Sequence, residues 1–332
     1  MLKFLEPYNQ EDKDSYHGRE EEILYLYKKV KQYQLTLLYG LSGTGKTSLI
    51  SCGLCNEFDP DDWRSFIIRR GNNQRISTAF RNTLAPEADV ELSLFDLLGD
   101  VYTAYYKPVY MIFDQLEELF LYGDSAERTE FIDFIRRVLD QAPYAKIILV
   151  IRQEYFVYLD EFEERIPEIF QGRMKLERMS RKKVVTTIRE IAAQEKIRVT
   201  DEVTDLIISH ISIKRHEDKF RTDLSSLQVD NIDLPSLQVY LYEVVKKNAD
   251  KIAELPPEGL LELGKDDLPE IGTINDVLSD YVHQAVKEVE SELNTTNPEI
   301  TDDLIWQVLN SLVSYEGTKQ QKSIDEIQKI LS

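Results

Sequence analysis

A short apolar run that ends in a glycine-rich turn constrains the fold of this chain more than any other feature. Residues 35–39 read LTLLY, and residues 40–47 read GLSGTGKT. The run is typical of a strand buried on both faces of a parallel sheet. The eight residues after it match the pattern G-x-x-x-x-G-K-[ST], known as the P-loop. Its glycines let successive backbone N–H groups turn inward around a phosphate, and the helix that follows adds its positive end.

Each position of the P-loop has an expected role at a nucleotide. We expect Lys46 to reach the β- and γ-phosphates and the Thr47 hydroxyl to bind Mg²⁺. The remaining candidate nucleotide-binding residues of this segment are Gly40, Ser42, Gly43, Thr44, Gly45 and Ser48. The alternative is a glycine-rich turn before a helix capped by Ser or Thr. A plain turn has no use for both Gly45 and Lys46 at this spacing, so the sequence favours ATP or ADP with Mg²⁺ as cofactors.

Further buried strands alternate with helices along the first half of the chain. Apolar runs predict strands at 66–68, 109–113 and 147–151. Apolar residues at helical intervals predict helices at 20–32 and 128–141, whereas residues 1–15 are polar and predict a loop. Strands and helices that alternate over short connections favour an α/β fold, a three-layer P-loop domain around a mostly parallel sheet.

The buried-strand pattern stops near residue 180, and helical patterns replace it. The clearest predicted helices are 182–194, 201–211 and 237–247, followed by a loop or boundary at 255–272 and two further helices at 302–314 and 323–331. We therefore expect a nucleotide-binding domain at 1–180, an all-α helical domain at 181–295 and a further small domain at 296–332.

A second acidic site is expected where the strand at 109–113 ends. Asp114 follows this strand directly, so its carboxylate should emerge at the carboxyl edge of the sheet and serve as the Mg²⁺ partner of Thr47. Hydrolysis also needs a group that orients water toward the γ-phosphate, and Glu117 and Glu118 lie just downstream. The alternative is an acidic first turn of a helix. The choice between the two glutamates stays open.

Arg152 ends the strand at 147–151 and should face the same crevice. Its guanidinium is suited to read the γ-phosphate or to couple the presence of that phosphate to movement. The alternative is a strand-end arginine that pairs with Glu154 or remains in water. The residue alone does not decide between these two interpretations.

Charge and composition exclude several classes of partner. The chain has 40 Lys and Arg against 60 Asp and Glu, a formal net charge of −20, which disfavours binding to nucleic acid or to an anionic membrane. The short basic clusters 69–70 and 181–183 are interpreted as solvated faces. No apolar run approaches the roughly 20 residues that span a bilayer, so we expect a cytoplasmic protein. Cys52 and Cys55 are assigned to packing, without a metal or redox role.

These residues resemble the STAND NTPases, a branch of the AAA+-like P-loop ATPases, and especially the bacterial novel STAND group. The similar segments fall between residues 16 and 245: GRE at 18–20, GLSGTGKTSLI at 40–50, VYMIFDQLEELF at 109–120, ILVIRQEYF at 148–156, LERMS at 176–180 and IDLPSLQVYLYEV at 232–244. The DQLEELF block and the arginine that closes the fourth strand are more specific than the P-loop, which many families share.

The resemblance implies roles for three further positions and an identity for the last domain. It makes Arg152 the sensor arginine, places Arg19 beside the adenine and makes Pro235 a contact from the helical domain to the nucleotide. It also makes residues 296–332 the first part of a winged-helix domain. The chain ends before such a domain would be complete and carries neither the repeat sensor nor the effector of these ATPases, so we expect part of a longer polypeptide.

The resemblance further implies a molecular switch that binds ATP and hydrolyses it slowly. ADP would hold the nucleotide and helical domains closed, and exchange for ATP would open them and permit self-association into a homo-oligomer, in signalling or antiviral defence. Two alternatives stay open. One is an AAA+ ATPase that loads on DNA through a winged helix, and the other is a scaffold that binds nucleotide without cleaving it.

Overall fold

A five-stranded parallel sheet forms the centre of the first part of the chain in the computed structural model. Its strands are β1 (Leu35–Gly40), β2 (Arg64–Ile68), β3 (Val109–Phe113), β4 (Ala145–Arg152) and β5 (Arg173–Lys175). They lie in the spatial order β2-β3-β4-β1-β5, and every neighbouring pair is parallel. All five side chains of β3 are buried, as its uninterrupted apolar run predicts. The sheet confirms the predicted α/β fold.

The structure describes residues 3–71, 74–87, 92–212, 232–268, 271–294, 301–313, 322 and 324–331. The chain divides into two compact units, residues 1–265 and residues 266–332. Within the part of the chain that the structure describes, none of the helices combines the length and apolarity that crossing a bilayer demands.

Helices cover both faces of the sheet. Successive residues of each strand point to opposite sides, so the apolar strands supply a buried core cluster on each face. Leu37, Met111 and Leu149 belong to one core cluster, whereas the next residue of each strand, at 38, 112 and 150, belongs to the other. Each such aliphatic side chain contributes roughly 1.5–3 kcal/mol on burial. The helices of this region are α1 (Glu20–Gln32), α2 (Lys46–Ser48), α3 (Ile76–Leu84), α4 (Leu94–Tyr105), α5 (Glu117–Tyr122), α6 (Ser125–Gln141) and α7 (Asp160–Glu163).

The segment after the P-loop continues α2 with a π-helical turn, Leu49–Gly53, and a 3₁₀ turn, Leu54–Glu57. Cys52 and Cys55 lie on these turns, and both are buried, free thiols. Burial raises the pKa of Cys52 to about 12 and that of Cys55 to about 11, so both remain protonated at neutral pH. Their assignment to packing is consistent with this environment.

Helices dominate the described residues between 181 and 253, as predicted. They are α8 (Arg181–Gln194), α9 (Asp201–Ile211), α10 (Leu234–Lys247) and α11 (Ala249–Ala253). The region also contains a short parallel pair of strands, β6 (Ile197–Val199) and β7 (Leu261–Leu263), which the sequence pattern does not predict. Three residues are too few to show an alternating pattern, and β7 lies in the segment that was predicted to be a loop.

The described residues of the second unit include the helices α12 (Ile274–Asn294), α13 (Asp302–Ser311) and α14 (Ile324–Leu331). The last two correspond to the predicted helices at 302–314 and 323–331. Among the residues of this unit that the structure describes there is no strand, so the predicted winged helix is not confirmed. The three-domain division stays a prediction.

Candidate functional site

The parallel register brings the P-loop, Asp114 and Arg152 to one edge of the sheet. β1 and β4 are aligned so that Gly40 pairs with Arg152. β3 lies on the other side of β4, and Asp114 follows its last residue. Because all the strands run in the same direction, these residues meet where they end. The edge opens into a cleft of about 370 Å³.

The P-loop adopts a conformation that needs glycine at two positions. Gly43 and Gly45 have φ angles of +73° and +86°, in the region that residues with a Cβ avoid. Gly45 precedes α2, so the positive end of the helical segment faces the cleft. Lys46 Nζ donates to the carbonyl oxygens of Gly40 and Leu41 at 2.9 and 2.8 Å. Burial lowers the pKa of Lys46, although the nearby carboxylates oppose the shift.

Thr47 and Asp114 provide a pair of oxygen ligands suited to Mg²⁺. Thr47 Oγ1 donates to Asp114 Oδ2 at 3.1 Å, and Asp114 is only 4% exposed. The described residues contain no group of three or more His, Cys, Asp or Glu side chains that could hold a metal alone. One hydroxyl and one carboxylate fit the binding mode in which nucleotide phosphates and water supply the remaining oxygen ligands of Mg²⁺. These two residues would hold the ion when it enters with a nucleotide.

Glu117 and Glu118 point to different parts of the molecule. Glu117 lines the cleft, is 4% exposed and bonds Arg152 twice, from Arg152 Nε to Oε1 at 2.9 Å and from Arg152 N to Oε2 at 3.2 Å. Arg152 therefore pairs with Glu117 and not with Glu154. Burial raises the pKa of Glu117, and Arg152 and Lys46 limit the shift. Glu118 instead accepts a hydrogen bond from Gly71 N at 2.7 Å.

Arg19 lies at the inner wall of the cleft and is 2% exposed. Its Nη2 donates to the carbonyl oxygens of Thr44 and Glu177, both at 3.0 Å, and its Nη1 donates to Glu22 at 2.9 Å. Arg19 Nε and the neighbouring His17 Nε2 are buried without a hydrogen-bond partner among the described residues. Unpaired buried polar atoms are rare, so their presence beside a cleft indicates groups that a ligand can satisfy.

The start of α10 closes the cleft over the P-loop. Asp233 caps this helix by accepting from Ser236 N at 3.3 Å, and Pro235 lies in the first turn and lines the cleft. A Cβ atom on Gly43 would lie 1.9 Å from Asp233 Oδ1. A residue with a Cβ fits there only if Asp233 moves, and the contact joins the helical region directly to the P-loop.

Most of the predicted site residues line this one cleft. They are Arg19, Ser42, Gly43, Gly45, Lys46, Thr47, Ser48, Asp114, Glu117, Arg152 and Pro235. Gly40 and Thr44 lie behind the loop, where their carbonyls accept from Lys46 and Arg19, and Glu118 lies outside the cleft wall.

Sequence reasoning missed two parts of the cleft wall and one contact of the P-loop. Arg69 donates a hydrogen bond to Asp114. Its position directly after β2 is the sequence signal that could have indicated this. Asp233 lies against Gly43. Residues 5–8 also line the cleft, and Tyr8 N donates to Ser48 Oγ at 3.1 Å; no sequence signal marks that segment. The interpretation of Arg69 and Arg70 as a solvated face is wrong, because Arg70 is 7% exposed and forms a bidentate ion pair with buried Glu127.

Comparison with known protein families gives a match to the family described as Novel STAND NTPase 1, over residues 3–329. The chain belongs to this family. The membership makes it a P-loop NTPase and accounts for a cleft built around residues 40–47. A comparison of the sequence with curated proteins gave no significant match.

Solved structures similar to this novel STAND NTPase share its fold at low sequence identity. The Walker-type ATPase of Pyrococcus abyssi is 16% identical with a TM-score of 0.56, and the match covers 98% of this chain and 91% of that one. The ORC1 protein of Aeropyrum pernix, solved in complex with DNA, is 11% identical with a TM-score of 0.57, and the match covers 96% and 82%. The ORC2 protein of the same organism, in its ADPNP–ADP complexes, is 12% identical with a TM-score of 0.54, and the match covers 94% and 78%. At these identities the likeness concerns the fold.

Proposed function

We propose that this NTPase is a switch that binds ATP, hydrolyses it slowly and changes conformation with the bound nucleotide. The observation that carries the proposal is the contact of Asp233 and Pro235, at the start of α10, with the P-loop and its cleft. A nucleotide in this cleft touches both the sheet edge and the helical region. A ligand can shift an equilibrium between two arrangements only if its contacts differ between them, and this cleft supplies such contacts.

The residues at the phosphate end have separate tasks. Lys46 leaves the carbonyl oxygens of Gly40 and Leu41 to bind the β- and γ-phosphates, while the P-loop N–H groups surround the β-phosphate. Thr47 and Asp114 hold Mg²⁺, which neutralises phosphate charge when it is bound. The gathering of these groups at one sheet edge supports the assignment.

Hydrolysis is assigned to Glu117 and Arg152. Glu117 faces the cleft as a buried carboxylate and can orient a water molecule toward the γ-phosphate. Arg152 is 49% exposed, so its guanidinium can turn from Glu117 to a phosphate without a large desolvation cost.

The base end is assigned to the wall formed by Arg19 and the first turn of α10. Arg19 presents an unpaired Nε, and Leu234, Pro235 and Leu241 supply apolar surface for a purine. We further propose that ATP-driven opening exposes surface for self-association into a homo-oligomer, in a signalling or defence pathway. The resemblance to STAND NTPases supports this setting.

Hydrogen–deuterium exchange of α10 with bound nucleotides tests the proposal. We expect the first turns of α10 to be more protected with ADP than with a non-hydrolysable ATP analogue, because ADP keeps the contact between Asp233 and Gly43 closed. Lys46→Ala should weaken nucleotide binding, which calorimetric titration measures directly. It should therefore remove the protection of α10 by either nucleotide. Equal protection in both nucleotide states would contradict the switch, and parental affinity in Lys46→Ala would contradict the phosphate role.

A further inference from the structure

Arg69 lies where a metal ion is expected. It follows Ile68 at the end of β2, as Asp114 follows Phe113 at the end of the neighbouring β3, and Asp114 N donates to Ile68 O at 3.0 Å. The Arg69 guanidinium donates to Asp114 Oδ2 through Nε at 3.0 Å and through Nη2 at 2.7 Å. The same oxygen accepts from Thr47 Oγ1. A positive group therefore lies on the carboxylate assigned to Mg²⁺.

The two partners differ sharply in exposure. Asp114 is 4% exposed, whereas the Arg69 side chain is 45% exposed. A buried carboxylate is costly without a cation, but a half-exposed guanidinium can exchange its partner for water at little cost. Asp114 thus needs a cation at all times, and Arg69 is able to leave when another one arrives.

The backbone after Arg69 is held firmly. Arg70 forms the buried pair with Glu127 at 3.0 and 2.9 Å and also donates to Tyr122 O at 3.1 Å. Gly71 N donates to Glu118. These contacts fix the chain on one side of Arg69, and the strand ladder fixes it on the other. Within residues 69–71 it is therefore the half-exposed Arg69 side chain that is placed to move.

We propose that Arg69 is a positioning residue that competes with Mg²⁺ for Asp114. Without the metal it neutralises the carboxylate and holds it beside Thr47; when Mg²⁺ enters with a nucleotide, the guanidinium is displaced into the cleft. The inference rests on the proposed nucleotide site. Its consequence is that ADP meets no uncompensated carboxylate in the metal-free protein, so that binding depends less on Mg²⁺ than it would without Arg69.

The test is the affinity for ADP measured calorimetrically with excess Mg²⁺ and with EDTA. In Arg69→Ala we expect the affinity in EDTA to fall about tenfold, because the Asp114 carboxylate then lacks a cation, while the affinity in Mg²⁺ stays at or above the parental value, because the ion takes the place of the guanidinium. The ratio of the two affinities therefore rises about tenfold or more. Arg69→Lys keeps the charge and should restore most of the parental ratio.

Arg75→Ala is the matched control, because the Arg75 side chain is 43% exposed and pairs with Asp124 and Glu130. It should leave both affinities unchanged. If Arg69→Ala lost the same affinity for ADP in both conditions, Arg69 would be an ordinary phosphate ligand or a structural residue, and the proposal would be overturned. No loss of affinity in either condition would also overturn it. A parental protein that binds ADP in neither condition would instead refute the proposed function.

A second measurement needs no nucleotide. Mn²⁺ binding to the nucleotide-free protein, followed by electron paramagnetic resonance, should be about tenfold tighter in Arg69→Ala than in the parental protein, because the competing cation is gone. Replacing Asp114 with Asn in the Arg69→Ala background should remove the gain. Mn²⁺ affinity that is the same with and without Arg69 would overturn the proposed competition.

Discussion

Glu117 and Glu118 are adjacent acids in the first turn of α5, yet their surroundings differ. Glu117 is buried in the cleft and bonds Arg152, whereas Glu118 accepts from Gly71 N. We expect Glu117→Gln to lower the rate of phosphate release about 100-fold or more, because an amide cannot act as the base that orients water. ATP affinity should change little. Phosphate-release kinetics and calorimetry measure the two effects.

Glu118→Gln is the matched control for that prediction. Its amide oxygen can still accept from Gly71 N, so phosphate release should stay close to the parental rate. If the two variants lose activity equally, or neither does, the assignment to Glu117 is wrong.

The rate of phosphate release by the parental protein should also fall as the pH drops, because protonation removes the base. The fall should begin above the pH range of an ordinary glutamate, because burial raises the pKa of Glu117.

At the scale of elements, the contact between the P-loop and α10 is sterically tight. Alanine at position 43 would strain a φ of +73° and drive Cβ against Asp233 Oδ1, forcing Asp233 out of its cap on α10. Strain alone costs roughly 1–2 kcal/mol, and the lost cap adds about 1 kcal/mol. We expect Gly43→Ala to lower the free energy of unfolding of the nucleotide-free protein by the sum of the two, measured in urea.

Gly71→Ala isolates the strain from the contact. Gly71 has a φ of +63°, and a Cβ there would meet nothing within 4 Å, so this variant should show only the strain cost. In an Asp233→Ala background the cap is already lost, and Gly43→Ala should then cost no more than Gly71→Ala. A persistent difference in that background would mean that the tight fit at Gly43 involves groups other than Asp233.

At the scale of the whole molecule, all of the cleft belongs to one unit. Its lining residues fall between Leu5 and Leu241, and the first unit extends to residue 265. A chain ending at residue 265 should therefore fold and bind ADP with the affinity of the full chain. Calorimetry on both chains checks this, and circular dichroism confirms that the shorter chain is folded. A folded short chain with much weaker binding would show that residues 266–332 contribute to the site.

The sequence alone was sufficient for features that depend on neighbours along the chain. The P-loop, its strand and its helix lie within residues 35–57, and the apolar runs of β3 and β4 identify buried parallel strands. The carboxyl ends of such strands share an edge, so the joint location of Lys46, Asp114 and Arg152 followed without coordinates. Family resemblance added Arg19 and Pro235, and the structure brings both to the same cleft.

Only the tertiary structure distinguished Glu117 from Glu118, placed Arg69 on Asp114 and brought Asp233 against Gly43. The short strands β5, β6 and β7 also became visible only there. The physical reason is the same in each case: a side chain's partner is set by packing between segments far apart in sequence, and a pattern of a few residues carries no information about that packing. Motifs determine which chemical groups reach the edge of the sheet, and packing determines which of them face one another.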